Sequence, residues 1–123
     1  MKRNDFSEMT VDKLVDRFAS ITLAQDRALL MDELSTFNRL FAEMEAIKEE
    51  LKGRAGDQRR ALITLYDHPN AQVRLKAAKA TLAVAPDAAR SALKAIADSK
   101  HYPQAGEAGM SLWNLDRGVF KPT

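Results

Sequence analysis

The sequence predicts an all-α fold, in which a long N-terminal helical hairpin precedes a short α-solenoid of two stacked hairpins. Three observations carry this expectation. Apolar residues recur at spacings of three and four along most of the chain. Proline, glycine, asparagine and aspartate punctuate it at helix-length intervals. The second half overlays on itself at an offset of about 31 residues, which puts Leu62 on Leu93, and a period of that size marks solenoids.

Taking the elements in order, Thr10 is suited to cap a helix whose apolar positions are Val11, Leu14, Val15, Phe18 and Ile21, ending near Leu30. Ser35 is a candidate cap for the next, with a stripe of Leu34, Phe37, Leu40, Phe41, Met44, Ile47 and Leu51. Lys52 in its last turn and Gly53 just past it fit a helix end. The short link between the two predicts an antiparallel pair over 10–53. Asp57 is suited to cap a short helix through Leu62 and Leu65, which stops at Asp67-His68-Pro69-Asn70. Asn70 then caps a helix expected over about 71–85. Pro86 and Pro103 each open a further helix at the position where proline is best tolerated. Gly118 closes the last one, and Val119 and Phe120 are expected to fold back onto the core. The predicted organisation is a flexible tail over 1–9 and one helical domain over 10–123. That domain divides into 10–53, a hairpin over 57–85 and a second hairpin over 86–118.

Composition excludes several function classes. The chain has 123 residues, enough for one domain with its own core. It contains no cysteine, so disulfides, a thiol nucleophile and a cysteine-ligated zinc site are all ruled out. Aromatics make up only 7%, which favours close-packed helices over a thick β core. No apolar run approaches the roughly 20 residues of a membrane span. Met1-Lys2-Arg3-Asn4-Asp5 leads into no apolar signal core, and a cytoplasmic location is expected. Met9 is a second candidate start of translation. Residues 1–52 carry 8 Lys/Arg against 11 Asp/Glu, a net of −3, and residues 53–123 carry 11 against 6, a net of +5. A basic face on the C-terminal half follows from that split, unless the two halves merely complement each other.

Within the repeat, Ala61-Leu62 falls on Ala92-Leu93, Leu65 on Ile96, Asp67 on Asp98, Ala77 on Ala108 and Leu82 on Trp113. The stretch with Leu62, Leu65, Asp67, Pro69, Val73, Arg74, Ala77, Ala78 and Leu82 resembles a HEAT repeat, of the armadillo type. The second copy is degenerate, because Pro103 to Gly106 replaces the Val-Arg pair. The whole chain also resembles a small bacterial family of HEAT-like proteins of unknown function. The matching segments are Asn38-Arg39-Leu40-Phe41, Val73-Arg74-Leu75-Lys76-Ala77-Ala78-Lys79-Ala80 and Gly118-Val119-Phe120-Lys121-Pro122-Thr123. The resemblance implies that the second helix of each hairpin lines a concave surface and that Arg74 braces neighbouring turns. It imports no activity.

Six residues make up the candidate partner-binding strip: Gln72, Lys76 and Lys79 on one helix, and Glu107, Met110 and Asn114 at the equivalent places on the last. The opposite faces carry Val73, Ala77 and Leu112, which leaves the strip to face outward. Four residues are assigned structural roles. Arg74 lies on an apolar face and needs an acceptor, for which Asp67 and Asp98 are the candidates. Trp113 takes the place of a core leucine, and Gly106 and Gly109 beside it predict close helix packing.

No catalytic, metal or cofactor site is expected. His68 and His101 have no third ligand at metal spacing. The carboxylate pairs Asp12/Asp16 and Glu45/Glu49 fit a solvated acidic face. There is no glycine-rich phosphate loop, nucleophile elbow or HExxH motif. The expected function is non-enzymatic protein interaction, as an adaptor or immunity-type protein. The alternative is weak, non-specific nucleic-acid binding through Arg59, Arg60, Lys76, Lys79, Arg90, Lys94 and Lys100. Few aromatics stand among those cations to stack bases.

Overall fold

The computed structural model describes residues 6–123. Among them are five α-helices, one 3-10 helix and no strand. The helices are α1 (Val11–Leu30), α2 (Leu34–Gly53), a 3-10 helix (Gln58–Asp67), α3 (Ala71–Ala80), α4 (Pro86–Ser99) and α5 (Gln104–Asp116). None is long and apolar enough to cross a membrane. The chain divides into two compact units, Met1–Ala61 and Leu62–Thr123, so the break falls inside the 3-10 helix.

The first unit is built on the antiparallel pair α1 and α2. Thr10 caps α1 by accepting from the Lys13 amide at 3.2 Å. Leu14, Phe18, Ile21, Gln25 and Ala28 alternate at steps of four and three and are buried, as are Leu40, Met44, Ile47 and Leu51 of α2. Gln25 sits in this stripe without breaking it, because its amide donates to the Met44 sulfur at 3.5 Å. Thr22 bonds the Phe18 carbonyl at 2.8 Å, so its hydroxyl is also satisfied inside. Ser35 does not cap α2. The chain turns through Asp32 in a left-handed conformation, φ 56°, and the helix begins one residue earlier, at Leu34.

The expected tail over 1–9 is corrected where it is described. Residues 1–5 lie outside the described residues. Phe6 is 6% exposed, and the Arg54 guanidinium donates to the Phe6 carbonyl at 3.0 Å and the Ser7 carbonyl at 3.3 Å. Arg54 also bonds Glu50 at 2.8 Å, so one cation ties the Phe6–Ser7 segment to the end of α2.

A short helix was expected from Asp57, and the element is a ten-residue 3-10 helix. Its buried positions are Arg59, Leu62 and Leu65, exactly three apart. A 3-10 helix has three residues per turn, so these three stack on one line, which an α-helix would spread around its cylinder. Asp57 caps the element, its Oδ1 accepting from the Arg59 amide at 3.3 Å, and the same carboxylate takes Nε and Nη2 of Arg59 at 2.9 and 2.7 Å. That pairing holds the Asp57 carboxyl below its ordinary value.

In the second unit Asn70 caps α3, accepting from the Gln72 and Val73 amides at 2.8 and 3.2 Å. The helix stops at Ala80, short of the expected 85. The Thr81 hydroxyl takes up the Ala77 and Ala78 carbonyls at 2.9 and 3.1 Å, and the Tyr66 hydroxyl bonds that same oxygen. Pro86 then starts α4, and Gly118, at φ 71°, ends the run after α5. The core of this unit is Leu75, Ala78, Leu82, Ala89, Leu93, Ile96 and Ala108, with Leu112 and Leu115 packed against it. Val119 and Phe120 do not enter the core, although Phe120 lines a shallow hollow with Leu82, Pro86 and Leu115. Both are exposed, and both amides bond the Asn114 carbonyl.

Arg54→Ala removes two charged hydrogen bonds to carbonyls and should lower stability by about 1–3 kcal/mol. Urea unfolding followed by circular dichroism checks this. An unchanged midpoint would mean that the Phe6 segment docks without Arg54.

Candidate functional site

Helix α3 is alanine-rich and buried on nearly every side, because Val73, Leu75, Ala77, Ala78 and Ala80 point in successive directions around it. Two polar residues are buried with them. Gln72 is 2% exposed and Lys76 7%. The expectation that Gln72 and Lys76 face outward is therefore corrected. Lysine allows this because its four-carbon stem packs like an aliphatic residue while the ammonium reaches a partner.

That partner is on α5. Lys76 Nζ lies 2.9 Å from a Glu107 carboxylate oxygen, and Lys79 Nζ lies 2.8 Å from the same oxygen. One turn before Glu107, the Gln104 amide donates to the Gln72 carbonyl oxygen at 2.9 Å. These five side chains thus form a polar seam between α3 and α5. Burial alone would raise the Glu107 pKa, but the hydrogen bonds and charges of Lys79 and Lys76 outweigh it and hold the group below its ordinary value. Of the six strip residues, the structure brings Lys76, Lys79 and Glu107 together with Gln72 close by. Asn114 is half-buried and gives its carbonyl to the chain after α5. Met110 stands apart from the seam, 53% exposed.

Arg74 is half-buried and does hold a turn, though neither carboxylate is its acceptor. Its Nη1 donates to the carbonyls of His68 and Pro69 at 2.9 and 3.0 Å. Asp98 instead pairs with Lys94 at 2.9 Å, and Asp67 is exposed. His68 is part of the same turn, accepting from the Asn70 amide at 3.0 Å. Beside Arg74 lies a shallow hollow of about 550 Å³, floored by Ala88, Ala92 and Ala95 of α4 and walled by Tyr66.

Trp113 corrects the core assignment. It is 53% exposed, with the Arg117 guanidinium 4.4 Å from its ring. The glycines do not mark close packing. A methyl group on Gly106 would make ordinary contact with the Tyr102 ring, 3.8 Å away, and one on Gly109 would meet open space. Residues 106, 109, 110, 113 and 117 recur at helical spacing on the side of α5 away from buried Gln104, Ala105 and Ala108. Together with exposed Tyr102 they form a continuous outward face of aromatic, thioether and glycine positions. Sequence reasoning picked out Met110 and set Trp113 and the glycines aside as core. The signal was available in their shared phase, opposite Ala105, Ala108 and Leu112.

Glu107→Gln leaves the buried Lys76 ammonium without its carboxylate and should cost about 1–3 kcal/mol, allowing for the partial exposure of Glu107. The sign with pH follows from the lowered pKa. The contribution of Glu107 is full above its unfolded value of 4.5 and disappears as pH falls through the lower folded value. Urea midpoints measured between neutral pH and pH 3 should therefore fall less steeply for Glu107→Gln than for the parent. Arg74→Ala should cost about 1–2 kcal/mol, since it frees two carbonyls that water can reach. A loss several times larger would require a buried carboxylate partner after all.

No curated protein matches the chain. A solved structure does: the protein RPA1889 from Rhodopseudomonas palustris CGA009 is 56% identical, over 98% of this chain and 100% of that one, with a TM-score of 0.96. A family model described as a domain of unknown function, DUF2019, matches residues 12–116. On that match the chain belongs to the DUF2019 family.

Proposed function

We propose that the protein is a non-enzymatic interaction module that docks a protein partner on the outer face of α5. The observation that carries this reading is the stripe of Met110 and Trp113 on one side of a short helix with Tyr102 just ahead of it, each more than half exposed. Single exposed apolar residues are ordinary, but large aromatic and thioether groups aligned on one face are what interface cores are enriched in. The stripe lies next to the strip expected from the sequence and shares Met110 with it.

A HEAT-like solenoid is the architecture that best accounts for the second unit. Leu62 and Leu93 are both fully buried, Leu65 and Ile96 are both buried, and so are Ala77 and Ala108. The offset that relates them also puts Glu107 beside Lys76. Leu82 and Trp113 break the equivalence, the first being buried and the second exposed. In this reading the departure from the repeat is where the function lies, since a core position has been turned into a surface anchor.

Nucleic-acid binding is the weaker alternative. Lys76 and Lys79 are paired with Glu107, Arg90 with Asp116, Lys94 with Asp98, and Arg59 with Asp57. Cations already matched by carboxylates release few counterions from a phosphate backbone.

Capture from cell lysate with and without nuclease, using the parent, Trp113→Glu and Met110→Arg, tests the proposal. A nuclease-resistant protein partner should be lost with both variants, at a melting temperature within a few degrees of the parent. Retention by both variants would remove α5 as the docking face, and a partner lost on nuclease treatment would favour the alternative.

A further inference from the structure

The outer face of α5 is complementary to itself, and this fixes what can cover it. The helix has 13 residues, about 20 Å, and its midpoint falls at Met110. On the C-terminal side of that point stands a large anchor, Trp113, with the Arg117 guanidinium on its ring. On the N-terminal side the helix's own positions on this face are glycines, and the large group there is Tyr102, just ahead of the helix. Gly109 faces open space, and Gly106 leaves its surface to the exposed Tyr102 ring. Projections and recesses of one helix are thus arranged in opposite order about a point between Gly109 and Met110.

We propose that this face binds a second copy of the chain, with the two α5 helices antiparallel across a two-fold axis at that point. This rests on the reading of α5 as a docking face and names its partner. The register follows from the numbering: residues whose numbers sum to 219 face each other. Met110 of one copy then enters the space above Gly109 of the other. Trp113 meets the Gly106 and Tyr102 end, and Arg117 comes to the Tyr102 ring. Like-charge repulsion selects the antiparallel sense. A parallel pair would set Arg117 against Arg117 beside two indoles, whereas the antiparallel pair gives each guanidinium an aromatic face from each copy. A two-fold contact must also be self-complementary, a requirement this helix meets and an unrelated partner would not impose.

The contact area of one helix face is small, so the dimer is weak and has to be sought at high concentration. Sedimentation equilibrium of the full chain up to about 0.5 mM should show a reversible monomer–dimer exchange. Trp113→Glu should weaken it at least tenfold. Gly109→Leu is the sharper variant. The added Cβ meets nothing within 4 Å and the side chain increases the apolar surface, so non-specific association would strengthen. Filling the recess for Met110 should instead weaken the specific dimer at least tenfold, with the melting temperature equal to or above that of the parent.

The register is read separately. The chain has no cysteine, so Lys100→Cys accepts one nitroxide, and this labelled chain is mixed with isotope-labelled parent. Antiparallel pairing broadens the amides of residues 116–119 in the parent chain. Broadening at 99–103 instead, or a dimer that Gly109→Leu strengthens, would overturn the proposal. So would a monomer throughout the concentration range. In that last case a lysate partner still lost with Met110→Arg would leave the docking face standing and reject only the second copy as its occupant.

Discussion

The placement of Lys76 governs the second unit. An ammonium taken out of water costs several kcal/mol unless a counter-charge comes with it, and helix α3 is too apolar to provide one. The carboxylate arrives from α5 as Glu107, reinforced by Lys79 on its exposed side and by the Gln72–Gln104 pair one turn earlier. Because Gln104 and Glu107 must meet α3, and Ala105, Ala108 and Leu112 must meet the core, the rotation of α5 about its axis is settled. What remains on the far side is Gly106, Gly109, Met110, Trp113 and Arg117. The exposed stripe is therefore a consequence of the seam, and a rotation of one residue would bury the tryptophan and expose the glutamate.

The sequence made the helices legible because caps and periods are local. Thr10, Asn70, Pro86 and Gly118 each act within a turn of their own position, and each is found where its chemistry requires. The repeat offset was also legible, and it is the reason Lys76 and Glu107 could be associated before any geometry was known. Orientation was not. An amphipathic reading assigns lysine and glutamine to solvent, but in α3 apolar side chains leave no exposed sector wide enough for them. Arg74 illustrates a different limit. A cation on an apolar face announces that it needs acceptors, and it cannot tell carboxylates from the carbonyls of the turn next door.

Trp113 and the two glycines show a third limit. Burial is a one-way rule: cores are apolar, yet much of any surface is apolar too. A tryptophan at a repeat position reads as core until the phase of its whole helix is compared with that of its alanines. The short helix from Asp57 was legible, but its 3-10 geometry was not, for a related reason. Arg59, Leu62 and Leu65 have a period of three, which falls between the patterns of strand and α-helix, and the arginine hides it from a search for apolar residues.

On the proposed docking reading, the outer face of α5 answers to something other than folding. Two glycines within a helix cost about 1 kcal/mol each relative to alanine. Neither is needed for clearance, since a methyl group at Gly106 meets only ordinary contact and one at Gly109 meets none. Neither has the positive φ that would exclude alanine. A helix under pressure for stability alone would carry alanine at both places and a polar residue in place of Trp113. This one instead pairs a large exposed aromatic with two positions where the backbone is bare. The polar seam and the Ala108–Leu112–Leu115 side hold α5 firmly enough to carry that cost. A rigid helix with an anchor at one end and a recess beside it is preorganised, so a partner docking there need not order it.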